Sequence, residues 1–118
     1  MAKSTNRVFQ FVGTAKAVGS GQVWYPAADV YLAPDGWVVK VELAGVSAAD
    51  IEIQVQGNAL CIAGSRKDRS CSVGMSFQQM EISYSNFEKI LKFPSPLAGV
   101  TIEQNFEDGL LIINLRKG

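Results

Sequence analysis

Between Ile51 and Gly64 the sequence switches side-chain character at almost every residue. Ile51, Ile53 and Val55 alternate with Glu52, Gln54 and Gln56, and after Gly57-Asn58 the apolar set resumes at Leu60 and Ile62. A two-residue period puts one set on each face of an extended chain, and Gly-Asn is turn chemistry, so this segment reads as a β-hairpin. The same signals recur along the chain. Val30 and Tyr31 open a short strand before Pro34-Asp35-Gly36, a turn in which Pro presets φ and Gly accepts a positive one. Trp37, Val39, Val41 and Leu43 then share one face. Ser47 with Asp50 three residues later resembles a small capping box, which predicts one helical turn there.

Further strands are expected at Glu81-Ile82-Ser83-Tyr84, from Phe87 to Phe93 and from Val100 to Glu103. The last is expected at Leu110-Leu111-Ile112-Ile113-Asn114-Leu115 after the Glu107-Asp108-Gly109 turn. Pro94 and Pro96 mark a boundary, because proline donates nothing to a ladder. Short strands at hairpin spacing with almost no helical periodicity predict an all-β sandwich or barrel. Leu111, Ile113 and Leu115 should face its core. Leu110 and Ile112 then lie on the outer face, to be covered by a neighbouring segment or to serve as a docking surface.

With 118 residues there is room for one core and no second domain. The division expected is an N-terminal arm over 1–23 and a folded domain over 24–118. Lys3, Arg7 and Lys16 make the first 24 residues basic, with no acid among them, so the rest of this formally neutral chain is acidic by the same amount. A basic, acid-free start also fits a transit peptide; Val8-Phe9-Gln10-Phe11-Val12 is too short and polar for a secretory apolar region. The arm is read as flexible and apolar, ending in Gly19-Ser20-Gly21.

Zero formal charge argues against a general grip on nucleic acid, and no stretch is long enough to span a membrane. The chain has no histidine, which removes Ser-His-Asp, Cys-His and His-metal chemistry from its repertoire. Gly19-x-Gly21 lacks the spacing and lysine of a phosphate loop. The carboxylates are scattered over outward strand positions as solvated charges. No catalytic residue, cofactor or metal is expected. Cys61 and Cys71 match no metal or redox spacing, which fits a reducing, cytoplasmic compartment. Cys71, beside Arg69 and Lys67, is expected to be the more reactive thiol and Cys61 to be shielded within its strand.

The order of motifs resembles the α-crystallin domain of small heat-shock proteins. Trp24-x-Pro26-x-x-Asp29-Val30 is followed by Trp37-Val38-Val39 and then by Glu42-Leu43-x-Gly45-Val46-x-x-x-Asp50-Ile51-x-Ile53-x-Val55-x-Gly57-Asn58-x-Leu60-x-Ile62-x-Gly64. Phe87, Phe93-Pro94 and Asp108-Gly109-Leu110-Leu111 agree as well. The resemblance implies an immunoglobulin-like sandwich and an ATP-independent holdase that binds unfolding client proteins. Ala44, Gln104 and Lys92 stand where the family usually has Pro, Ala and Arg, and Lys lacks the bidentate fork of Arg.

The resemblance also implies three surfaces. A homodimer would form by exchange of a strand at Met75-Ser76-Phe77-Gln78, inside the long polar loop over 66–80, onto the partner's edge strand around Val30 and Tyr31. A groove lined by Ile53, Val55, Val100 and Ile102 would take an I-x-I tail or client segments. Phe9, Phe11, Leu110 and Ile112 would offer further client-binding surface. The sequence ends at Gly118 with no tail carrying an I-x-I motif, so assembly of this chain beyond the dimer is expected to be limited or polydisperse. The rival reading is a co-chaperone adaptor of the CS-domain type, which shares the sandwich and binds a specific folded partner; the Asp108-Gly109-Leu110-Leu111 motif and the long loop disfavour it.

Overall fold

The hairpins form where turn chemistry allows the chain to reverse. A computed structural model of the chain describes residues 2–4, 23–70 and 72–118. Among these, β3 (Ala28–Ala33) and β4 (Gly36–Glu42) are joined across Pro34-Asp35, and β5 (Ile51–Gln56) and β6 (Ala59–Ser65) across Gly57-Asn58. β8 (Val100–Glu107) turns into β9 (Leu110–Lys117) through Asp108 and Gly109, whose φ values are 55° and 78°. Two consecutive positive φ angles match the right-handed twist of the flanking strands, and an Asp-Gly pair tolerates them best.

The strands form two sheets. One has five strands in the order β1-β8-β9-β4-β3, where β1 is Ala2–Ser4; the other has four in the order β2-β7-β6-β5, where β2 is Val23–Trp24 and β7 is Asn86–Lys92. All pairings are antiparallel except β2 with β7. Between the sheets lie Trp37, Val39, Val41, Ile102, Leu111, Ile113 and Leu115 from one side and Ile53, Leu60, Ile62 and Phe87 from the other. Each such side chain contributes about 1.5–3 kcal/mol on leaving water. The expected inward sets of β4 and β9 are the buried ones, and the all-β sandwich anticipated from alternation is the fold.

Two local expectations are corrected. Ala48–Asp50 makes a single 3-10 turn as anticipated, but Ser47 accepts the Asp50 N–H through its backbone oxygen at 2.9 Å and its side chain caps nothing. Glu81-Ile82-Ser83-Tyr84 is not a strand. The β6–β7 ladder ends at Ser65 opposite Asn86, with a last backbone bond from Arg66 to Ser85 at 2.9 Å. Continuing it would require residues 67–70 as partners. Lys67 and Arg69 instead turn to Asp50, Arg69 Nη2 donating to Asp50 Oδ2 at 2.8 Å. Without a neighbouring edge, alternation alone makes no strand, and the connection runs from residue 66 to 85.

Asn58 closes the far end of the four-stranded sheet. Its Nδ2 donates to the Phe93 carbonyl at 2.7 Å, and its own carbonyl accepts the Phe93 N–H at 2.8 Å. That double bond holds Phe93 in the core beside Trp37, ring centroids 5.1 Å apart.

Cys61 points to the outer face of β6, between Gln54 and Ile90 in register, and is buried. Burial pushes its thiol above the ordinary value, with smaller contributions from the Glu88 and Glu52 charges. Because the folded thiol holds its proton more tightly than the unfolded one, it stabilises the fold below the unfolded pKa, and that contribution is lost as pH rises through the folded value. Alkylation of native Cys61 is expected to be slow and to accelerate only at alkaline pH beyond that needed in denaturant. Mass spectrometry of labelled peptides checks this; equal rates in the native and denatured chain would refute it. Cys71 lies outside the described residues.

Candidate functional site

β3 ends the five-stranded sheet. Among the described residues nothing pairs with its outer side, so its outward N–H and C=O groups form an open ladder. Val30 and Leu32 are in register with the buried Val39 and Trp37 and so project on the core side of the sheet, yet they are 46% and 81% exposed because the second sheet does not reach them. Tyr31 lies on the opposite face, with the Lys40 ammonium 5.1 Å above its ring. The expected edge residues Val30 and Tyr31 therefore sit on an unpaired, apolar edge.

The loop over 66–85 carries the complementary feature. Val73, Met75 and Phe77 are spaced two apart and largely exposed, as are Met80 and Ile82. Met75-Ser76-Phe77-Gln78 forms no strand within its own chain; Ser72 bonds to the Met75 sulfur from its N–H at 3.3 Å and its hydroxyl at 3.0 Å. None of these side chains belongs to the core.

The four residues expected to line the groove are divided by the structure. Ile53 and Ile102 are core residues, each 1% exposed, while Val55 and Val100 are half-buried and pack against the core from its margin. β5 is the edge of its sheet, and β8 is met on its outer side by β1, with Ala2, Lys3 and Ser4 opposite Phe106, Asn105 and Gln104. Gln104 is in register with Ile113 and so lies on the core-facing side. Its Oε1 is buried and has no hydrogen-bond partner among the described residues. Leu110 is 38% exposed and Ile112 half-buried, both on the outer face of the five-stranded sheet. Phe9 and Phe11 lie outside the described residues.

Two residues were not singled out by sequence. Asn58 appeared only as a turn residue. Arg66 is one charge in the run Arg66-Lys67-Asp68-Arg69 that opens the polar loop, and nothing in that run distinguishes it. In the fold its guanidinium lies 3.7 Å from the Trp24 ring centroid, and it donates to the carbonyls of Ser83 (2.8 Å) and Ala44 (3.0 Å). Among the described residues, no group of His, Cys, Asp and Glu is placed to hold a metal ion, and no helix is long and apolar enough to cross a membrane.

A two-sheet antiparallel sandwich with an open β3 edge and a long loop between β6 and β7 defines an α-crystallin domain. The family model described as Hsp20/alpha crystallin family matches residues 29–118, and the chain belongs to that family. It is 27% identical over 92 residues to small heat shock protein C2 of Rickettsia felis, covering 78% of this chain and 60% of that protein. Heat shock protein 16.0 from Schizosaccharomyces pombe superposes with a TM-score of 0.69 at 28% identity, over 80% of this chain and 87% of that one. A small heat-shock protein from Xylella fastidiosa, whose structure is described as showing a distinct high order structure, superposes at 0.67 with 29% identity over 81% and 88%. The chain thus spans about 60% of the length of the Rickettsia protein.

Proposed function

We propose that this protein is an ATP-independent holdase that captures partly unfolded proteins and works in the cytoplasm as a homodimer or larger assembly. Family membership supports the chaperone role, and the observation that carries the reading is the apolar surface kept outside the core. Val73, Met75, Phe77, Met80 and Ile82 on the loop, and Val30 and Leu32 on the edge strand, leave large side chains in water that a solitary domain would bury. Dimerisation takes up part of that surface. Met75-Ser76-Phe77-Gln78 of each protomer adds a strand to the partner's β3 at Val30 and Tyr31; backbone bonds supply affinity and alternate side chains fix register. The groove margin at Val55 and Val100, the Leu110/Ile112 face and the arm residues Phe9 and Phe11 serve clients. Such binding needs adaptable apolar contact and no nucleotide, metal or catalytic group.

Aggregation suppression tests the reading. The chain is expected to keep a heat-denatured client in solution without nucleotide. Exchanging Phe9 and Phe11 for Ser is expected to lower that protection, since each Phe contributes roughly 1.5–3 kcal/mol of weak, multivalent contact. Undiminished protection by the double variant would remove the arm as a client site. Absence of protection by the parent would remove the holdase reading.

A further inference from the structure

Arg66 stands where four segments meet. It follows β6 and opens the loop. Its backbone N–H bonds to Ser85 at the loop's return. Its Nε reaches the Ser83 carbonyl on the same return, and Nη1 reaches the Ala44 carbonyl in the turn after β4. The guanidinium is stacked on Trp24 of β2, and the Tyr84 ring lies 5.8 Å away.

We propose that Arg66 is a positioning residue for dimerisation, holding both ends of the 66–85 loop on the Trp24 indole and the Ala44 carbonyl so that the loop's apolar strip projects toward a partner's β3. The inference rests on the loop-mediated dimer proposed above. A loop tethered only at its ends would sample many directions and lose that freedom on docking. Arg66 removes much of the cost beforehand, because one rigid, planar group joins the loop's exit, its return and two fixed parts of the sandwich. A lysine keeps the charge, but its single ammonium cannot bond two divergent carbonyls while lying flat on an indole. The same stack places β2, at Trp24, against the root of the loop.

The test compares Arg66→Ala, Arg66→Lys and a deletion of residues 70–78 in the full chain. Dimer dissociation constants are measured by sedimentation at a temperature where each variant is fully folded by circular dichroism. Both substitutions are expected to weaken the dimer, Arg66→Ala by about tenfold or more, as for loss of a hydrogen bond to a charged group, and Arg66→Lys by less. Melting of the deletion variant with and without Arg66→Ala gives the purely structural contribution of the residue. Substitutions that lower the melting temperature but leave the dissociation constant at the parent's value would overturn the inference. So would parent-like affinity in Arg66→Lys, which decides the matter if Arg66→Ala does not fold. A deletion variant that still dimerises would instead overturn the loop-mediated dimer itself.

Discussion

Removing residues 70–78 is expected to convert the proposed dimer into a folded monomer. Among its described residues the deleted stretch contributes no side chain to the core, which is built from the strands and from Leu43, Val46, Phe93 and Leu97. Its ends are held independently, by the Arg69–Asp50 pair before it and by the Ser83 and Ser85 contacts after it. A surface segment without core contacts changes stability little, within about 0.5 kcal/mol. The assembly should respond far more strongly. Without Met75 and Phe77, the partner's β3 has no strand to pair with and no apolar side chains to cover Val30 and Leu32. Light scattering should report half the parent mass at unchanged circular dichroism. A dimer that survives the deletion would move the interface elsewhere on the sandwich.

Gly64→Ala is expected to be strongly destabilising. Gly64 sits in β6 opposite Ile51 and Phe87. A Cβ at this position would overlap the Asp50 carbonyl oxygen and come within 2.8 Å of Phe87 Cζ. Neither can retreat. Asp50 ends the 3-10 turn that feeds β5, and Phe87 is 2% exposed beneath the edge of the Trp24 ring, centroids 5.7 Å apart. Overpacking a rigid site costs about 3 kcal/mol, and a domain of this size then melts about 10 °C or more below the parent. Thermal unfolding checks this, and a variant melting within about 3 °C of the parent would show that the two strands can part without cost.

Most of the sandwich was legible because its turns are local. Pro34-Asp35, Gly57-Asn58 and Asp108-Gly109 each reverse the chain by their own backbone preferences, and the alternation on either side then fixes which residues face inward. Glu81-Ile82-Ser83-Tyr84 shows the limit of that logic. Its pattern is that of a strand, but a strand needs an edge, and whether β6 continues far enough to supply one depends on Asp50 drawing Lys67 and Arg69 aside. β1 and β2, at three and two residues, are too short to generate any period. The proposed interaction surfaces were legible only in part. Exposure of Val30 follows from the second sheet stopping short of β3, and full burial of Ile53 and Ile102 from the closeness of the sheets, neither of which alternation encodes. Arg66 was invisible for a similar reason: its partners are distant in sequence on both sides, Trp24 most of all, and are mostly backbone carbonyls, which carry no sequence signature.

The two ends of the five-stranded sheet are unlike. At one, Ala2–Ser4 lies along β8 from Gln104 to Phe106; at the other, β3 is bare. Sheets that join end to end without limit need two bare margins, one to receive and one to offer. The margin at β1 is three residues long, too short to hold another sheet, while β3 offers six. Once β3 is paired, open-ended growth along this sheet has no margin of useful length, which works against the templating of a fibre in that direction.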